Sequence, residues 1–196
     1  AGHATSFGLE GTRAELDRTT LDTTGWTSKG KGLRSSTFQL DFLQDMAAGS
    51  IDDVFIGHLG DASVTKSIVT NTADGSVAFL MNGVDVSYTV LDGEVGGNAM
   101  GRLQAATTGP LVRGRLLHPT TSRSSSSTGT ARQLGAVAAG QRLYAALHVL
   151  SVSDTTTPSL TVKVQSDDSG DFSSATDRIT FTAVTDPGRG ANGISA

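Results

Sequence analysis

The hexapeptide Thr37-Phe38-Gln39-Leu40-Asp41-Phe42 alternates polar and apolar residues at every step. A strand places Phe38, Leu40 and Phe42 on one side, because strand side chains repeat every two residues and helical ones every 3.6. A sheet with one buried face is therefore required. Residues 64–70, 77–81, 84–91, 99–107 and 111–117 also read as strands, with turn signals at Asp74-Gly75, Asp92-Gly93 and Gly109-Pro110. Residues 160–165 and 178–184 alternate cleanly, with Leu160, Val162, Val164, Ile179, Phe181 and Ala183 expected inward. Residues 143–152 differ, with Leu143, Ala145, Leu147 and Val149 on one face and Tyr144, Ala146, Leu150 and Val152 on the other. A strand apolar on both sides is expected to be central or to lie under a second layer.

One helix is expected, over residues 51–59. Ser50 and Asp53 have the spacing of a capping pattern, and Asp52 suits the positive end of a helix. Ile51, Val54, Phe55 and Leu59 fall on one face, and Gly60 stands where a helix stops. With 24 glycines, 4 prolines and abundant Thr, Ser and Val, the chain favours short strands and tight turns. Aromatics make up only 5% of it, so the core must rest on Val, Leu, Ile and Ala. The expected class is mainly β, an antiparallel two-sheet sandwich or partial barrel with one short flanking helix.

At 196 residues the chain is long enough for one domain with a real core. Residues 1–36, rich in Thr, Gly and charge, read as an extended N-terminal arm and loop with at most short strand pieces; Leu9, Leu16, Leu21 and Trp26 are thinly spaced in it. Residues 37–186 form the β domain, with an exposed loop at about 119–131, and 187–196 form a C-terminal tail. There is no cysteine, which removes disulfides, thiolate metal sites and cysteine nucleophiles and suits assembly in a reducing cytoplasm. No apolar run approaches the length of a membrane span. The start, Ala1-Gly2-His3-Ala4-Thr5, lacks a basic segment followed by an apolar one, so it reads as a start left by methionine removal rather than a secretory signal.

The net charge of −4 conceals a segregation. Arg102, Arg113, Arg115, Arg123, Arg132 and Arg142 lie between Val95 and Ser153, where there is no acidic residue. Such a split suits complementary surfaces, on another protein or on copies of this one. Tyr144 is the only aromatic in that stretch, so the stacking residues of a nucleic-acid platform are missing.

No motif carries catalytic chemistry. His3, His58, His118 and His148 show no metal-ligand spacing, and His148 reads as a core or interface histidine. There is no nucleophile elbow, phosphate loop or dinucleotide fingerprint; Gly93, Gly96, Gly97 and Gly101 read as turn and bulge residues. Asp167-Asp168-Ser169-Gly170-Asp171 lacks the sixth-place glycine and distant glutamate of a calcium hand, and reads as an acidic loop facing water. Neither an enzyme nor a bound cofactor or metal is expected.

Two stretches resemble major tail tube proteins of long-tailed, siphovirus-type bacteriophages, especially those infecting actinobacteria. One is Gly93-Glu94-Val95-Gly96-Gly97 leading through a strand to Leu111-Val112-Arg113-Gly114; the other is LGAVAAGQRLYAALHVLSVS followed by LTVKVQSDDSGDFSSATDRITFTAVT. The likeness covers roughly residues 35–185 and rests on the order of structural segments. It implies a two-sheet fold with a flanking helix and six copies per ring, the rings stacking into a tube that conducts DNA into the host. It also implies a virion location after assembly in the host cytoplasm, and partners among the tail terminator, tape measure and distal tail proteins. DNA would pass without tight binding, with the midchain arginines mostly away from the bore and meeting carboxylates or solvent. The inter-subunit candidates are Trp26, Arg34, Arg113, Arg115, Arg132 and Arg142. The alternative is a virion β-sandwich that binds receptor or carbohydrate, decorates a head or connects head to tail.

Overall fold

The computed structural model describes residues 4–19, 26–47, 50–150 and 159–184, and the backbone of 192–195. Among them, ten strands and one helix follow the order β1 (Ala4–Asp17), β2 (Lys29–Leu43), α1 (Ile51–His58), β3 (Val64–Val69), β4 (Val77–Asp92), β5 (Met100–Thr107), β6 (Val112–Arg115), β7 (Ala145–His148), β8 (Lys163–Ser166), β9 (Thr176–Thr180) and β10 (Asn192–Ser195). The pairs β1–β2, β2–β5, β4–β5, β4–β6, β7–β10 and β8–β9 all run antiparallel. The expected mainly β, antiparallel class with one short helix is what forms. The largest sheet has the order β1-β2-β5-β4-β3, with β6 also on β4; β7–β10 and β8–β9 are two-stranded. No helix among the described residues is long and apolar enough to cross a membrane.

Two compact units are present, Ala1–Val64 with Met81–Leu111, and Thr65–Leu80 with Val112–Ala196. The first is built on β1, β2, β5 and the later part of β4. Leu9 pairs with Phe38 and Phe38 with Ala105, while Phe7 pairs with Leu40 and Leu40 with Leu103. These residues share one face, and Phe38, Phe42, Met81, Leu103 and Ala105 are buried. The alternation in residues 37–42 is thus the core-forming face of β2. Helix α1 packs there through Phe55, whose ring lies 5.3 Å from Phe42 and 6.0 Å from Tyr88. The Tyr88 hydroxyl donates to Asp52 Oδ1 at 2.5 Å and accepts from Gln44 Nε2 at 2.8 Å. Burial first, and Asp52 beside it second, raise the Tyr88 pKa above the ordinary phenol value.

Four expectations are corrected here. Residues 1–36 contain far more than short strand pieces: β1 runs for 14 residues and pairs with β2 from Ala4↔Phe42 to Asp17↔Lys29. Its polar, glycine-rich composition hides a strand whose partner supplies most of the apolar surface; Leu21 lies outside the described residues. Residues 77–81 and 84–91 are one strand rather than two. Gly83 between them marks a close approach, since a Cβ there would lie 2.9 Å from the Ala106 carbonyl oxygen of β5. Ser50 forms no side-chain cap on the helix and instead donates to Asp45 Oδ2 at 2.9 Å. Gly60 does end the helix, at φ +98°, but Leu59 is 45% exposed rather than buried.

In the second unit Gly75 makes the turn before β4 at φ +82°, and Ser76 N donates to Ala73 O at 3.1 Å. Arg132 Nη2 meets Asp74 Oδ2 at 2.8 Å, tying the long segment after β6 to this turn. Residues 120–142 are exposed and contain no strand, as expected of the serine-rich loop. The expected central strand over residues 143–152 is a correction. Among the described residues only Ala145–His148 is strand, it pairs there with β10, and Leu150 is 69% exposed; Ser151 and Val152 lie outside the described residues. Apolar residues on both faces show that a strand needs cover, not that its own chain supplies it. The tail contributes strand β10 at Asn192–Ser195. Ile179 and Val184 are buried, whereas Ala183 is exposed and Leu160 37% exposed, because the β8–β9 ladder gives way to an isolated Leu160↔Val184 bridge.

Candidate functional site

Strand β1 borders the sheet order, so among the described strands its outer edge has no partner. A long edge of unpaired N–H and C=O groups is a template for another chain. Near it Phe7 is 58% and Leu16 46% exposed. Beyond Thr37, where β2 stops pairing with β5, β1 and β2 continue as a two-stranded ribbon. The ribbon is irregular. Arg13 faces Arg34 and Glu15 faces Lys31, so β2 carries one extra residue opposite Ala14. A Cβ on Gly32 would lie 2.7 Å from the Ala14 carbonyl oxygen, and Leu33 is 87% exposed. This is a β-bulge that turns Leu33 outward.

The face opposite the core is polar. Gly8 pairs with Gln39, Gln39 with Gln104, and Gln104 with Ser87. Asp41 accepts from Ser6 Oγ at 2.7 Å and from Arg102 Nε at 2.6 Å. The Arg102 and Ser6 bonds hold the Asp41 pKa below the ordinary carboxylate value. A shallow groove of about 400 Å³ runs over this face beside Gly8, Gln39, Val86 and Gln104, and Glu10 is its one ionisable lining residue.

The sequence-derived candidates do not converge on one place. Trp26 is 81% exposed beside the ribbon, and Arg34 lies on the ribbon. Arg113 and Arg115 face Phe79 and Val77 from β6, and Arg115 also donates to the Gly75 carbonyl at 3.1 Å. Arg132 is engaged by Asp74, and Arg142 is exposed. Of the other midchain arginines, Arg102 meets Asp41, and Arg123 Nη2 lies 3.0 Å from His118 Nε2. His58 Nδ1 is 2.7 Å from Asp61, and exposed His148 is 2.7 Å from Ser67 Oγ, at the surface rather than in a core; His3 lies outside the described residues. Reading the sequence missed the β1 edge and the Arg13–Arg34 register. The alternation of Phe7 and Leu9 with Ser6, Gly8 and Glu10 was a signal for the first; nothing local signals the second.

The acidic loop folds onto its own backbone. Asp167 accepts from the Ser169 and Ser174 amides at 3.1 and 2.8 Å, and Asp171 accepts from Ser169 Oγ at 2.5 Å. Phe172, directly after Asp171, adopts φ +54°, a conformation disfavoured for an aromatic residue. The two amides, Ser169 first, lower the Asp167 pKa from 3.8 to about 2. A carboxylate lowered in the folded state stabilises the loop above its unfolded value and loses that contribution as pH falls through the folded one. The Asp167 carboxyl should therefore titrate near pH 2 by NMR, with the Ser169 and Ser174 amides shifting together as pH falls from about 4. A midpoint at the ordinary carboxylate value would contradict these bonds. Among the described residues no group of three His, Cys, Asp or Glu is placed to hold a metal.

No family model and no curated protein matches the chain. Chains of several solved structures share part of its backbone, two of them as follows. A chain of the virion of a native gene transfer agent particle is 17% identical with a TM-score of 0.45, over 57% of this chain and 85% of that one. A chain from the tail of an empty gene transfer agent particle, refined helically with C6 symmetry, is 17% identical with a TM-score of 0.46, over 56% of this chain and 81% of that one. Likeness at that level carries no argument about function.

Proposed function

We propose that this chain is a non-enzymatic structural subunit that polymerises with its own copies into stacked hexameric rings, forming the tail tube of a long-tailed phage. The observation that carries the reading is the open edge of β1, 14 residues long, on a sheet whose other face is polar. Repeating such a sheet around an axis removes the edges that would otherwise aggregate. The exposed apolar side chains Phe7, Leu16, Leu33 and Leu150 would then find cover on neighbouring copies. The resemblance of residues 134–153 and 160–185 to siphovirus-type tail tube proteins, especially those of actinobacteriophages, supports the same reading.

The polar face suits a wall along which DNA slides. Glycine, glutamine and serine side chains offer little to hold a phosphate, and Arg102 is neutralised by Asp41. Free arginines there would retain DNA by releasing its counterions. On this reading the protein resides in the virion after assembly in the host cytoplasm, and its further partners are the tail terminator, tape measure and distal tail proteins. The test is negative-stain imaging and sedimentation of the purified chain over a concentration series. Rings and open-ended tubes with a central bore are expected. Closed rings that never stack would indicate a connector or decoration protein, and a strict monomer with a small ligand in a defined cleft would end the proposal.

A further inference from the structure

The ribbon places charges in pairs. Glu15 faces Lys31 and Asp17 faces Lys29, with Lys29 and Glu15 also in contact, so those positions are complementary. Arg13 faces Arg34, and like charges directly opposite each other destabilise a strand pair. No ion pair to either arginine is seen among the described residues. Next to them the bulge presents Leu33, and Trp26 is almost as exposed. Among residues 13–19 and 26–34 there are five basic groups (Arg13, Arg18, Lys29, Lys31, Arg34) and two acidic ones (Glu15, Asp17). A two-stranded ribbon of this kind is marginal in water by itself. Its mixed basic and apolar surface calls for an acidic, apolar partner.

The same unit carries a matching surface at its other end. β2 runs from Lys29 at the ribbon to Leu43, about 46 Å at ordinary strand rise. Leu43 pairs with Met100, and Met100 with Asp92, so the β4–β5 turn lies at the end away from the ribbon. There Leu91 is 60% and Val95 fully exposed, flanking exposed Asp92 and Glu94. No Lys or Arg occurs between Lys66 and Arg102, so the turn has no basic residue of its own, though Arg102 on β5 attracts Asp92. Basic-with-leucine at one end and acidic-with-leucine-and-valine at the other are two different patches on one unit. Patches of that kind make a head-to-tail contact, which propagates as an open polymer.

We propose that the Arg13–Leu33–Arg34 patch of one copy seats on the Leu91–Val95 turn of the next, placing Asp92 and Glu94 against the two arginines. This names the longitudinal contact of the polymer and rests on the assembly reading above. Leu33 meets Leu91 and Val95, while the carboxylates relieve the Arg13–Arg34 repulsion. The interaction weakens with salt, because both surfaces are exposed.

A charge swap tests it. Arg34→Glu and Glu94→Arg are each expected to raise the protein concentration needed for polymers at least about tenfold, and the double variant to restore it to within about threefold of wild type. Arg34→Glu also replaces a like-charge pair with an opposite one, so its melting temperature should not fall. This separates lost assembly from lost folding. Failure of the double variant to restore growth, or wild-type growth of Arg34→Glu, would overturn the contact while leaving the assembly reading intact. Loss of duplex DNA binding by Arg34→Glu with unchanged polymers would make the ribbon a phosphate-binding face and also overturn it. If the wild-type chain forms no polymer, the assembly reading falls and this contact with it.

Discussion

Replacing Phe42 with alanine is expected to destabilise the protein by about 3–5 kcal/mol, the range for removing a buried phenyl ring from a packed site. Phe42 is fully buried and lies 5.3 Å from Phe55 and 6.3 Å from Tyr88, ring centre to ring centre. The site cannot collapse readily, because Tyr88 is held by Asp52 and Gln44 and Gln44 Nε2 is in turn bonded to the Val90 carbonyl at 2.6 Å. The cavity therefore lies beneath α1. No residue of that helix is itself buried, so Phe55 and the Tyr88–Asp52 bond are among the few contacts that hold it on the sheet. Urea unfolding should show a lowered midpoint, and the amides of α1 should lose exchange protection beyond the global loss. A change below about 1 kcal/mol would mean that Phe42 is not packed as described.

Gly101→Val should act on the same site from the opposite side, costing about 3 kcal/mol, the upper part of the overpacking range. Gly101 pairs with Phe42 across β2–β5, and a Cβ on it would lie 2.6 Å from Phe42 Cζ. The ring cannot swing away, since Phe55 and Tyr88 stand on it. Shortening the ring residue in the same chain, as Phe42→Leu, should recover part of the loss because the two volumes compete for one space. Thermal melts of the two single variants and the double would show this as non-additivity. Strict additivity would place the valine elsewhere than against the ring. Glycine is thus needed at 101 for close approach rather than for a bulge.

For function, the consequence is a division between a rigid platform and its margins. Phe42, Phe55, Tyr88 and Leu103 hold the first unit together, while the β1 edge, the ribbon bulge and the β4–β5 turn carry exposed apolar or charged groups. Substitutions on the platform should act through folding. Those on the margins should change association and leave folding nearly intact.

The alternation of residues 37–42 determined β2 and its buried face, because a period of two admits a single reading. Asp74-Gly75 and Gly60 were equally legible, since both need a backbone that glycine adopts freely. The helix was legible in place, but its cap was not: Ser50 chose Asp45 over its own helix, a choice made by the chain's path before it. The length of β1 lay beyond local reading, because its stability comes from β2 some twenty residues away. The Arg13–Arg34 opposition continues the register that sets Ser6 on Asp41 and Leu9 on Phe38, and register is set by pairing across strands rather than by spacing along one. Sequence periodicity therefore specified which residues turn inward, and only the tertiary structure decided which strands, charges and edges were left facing outward.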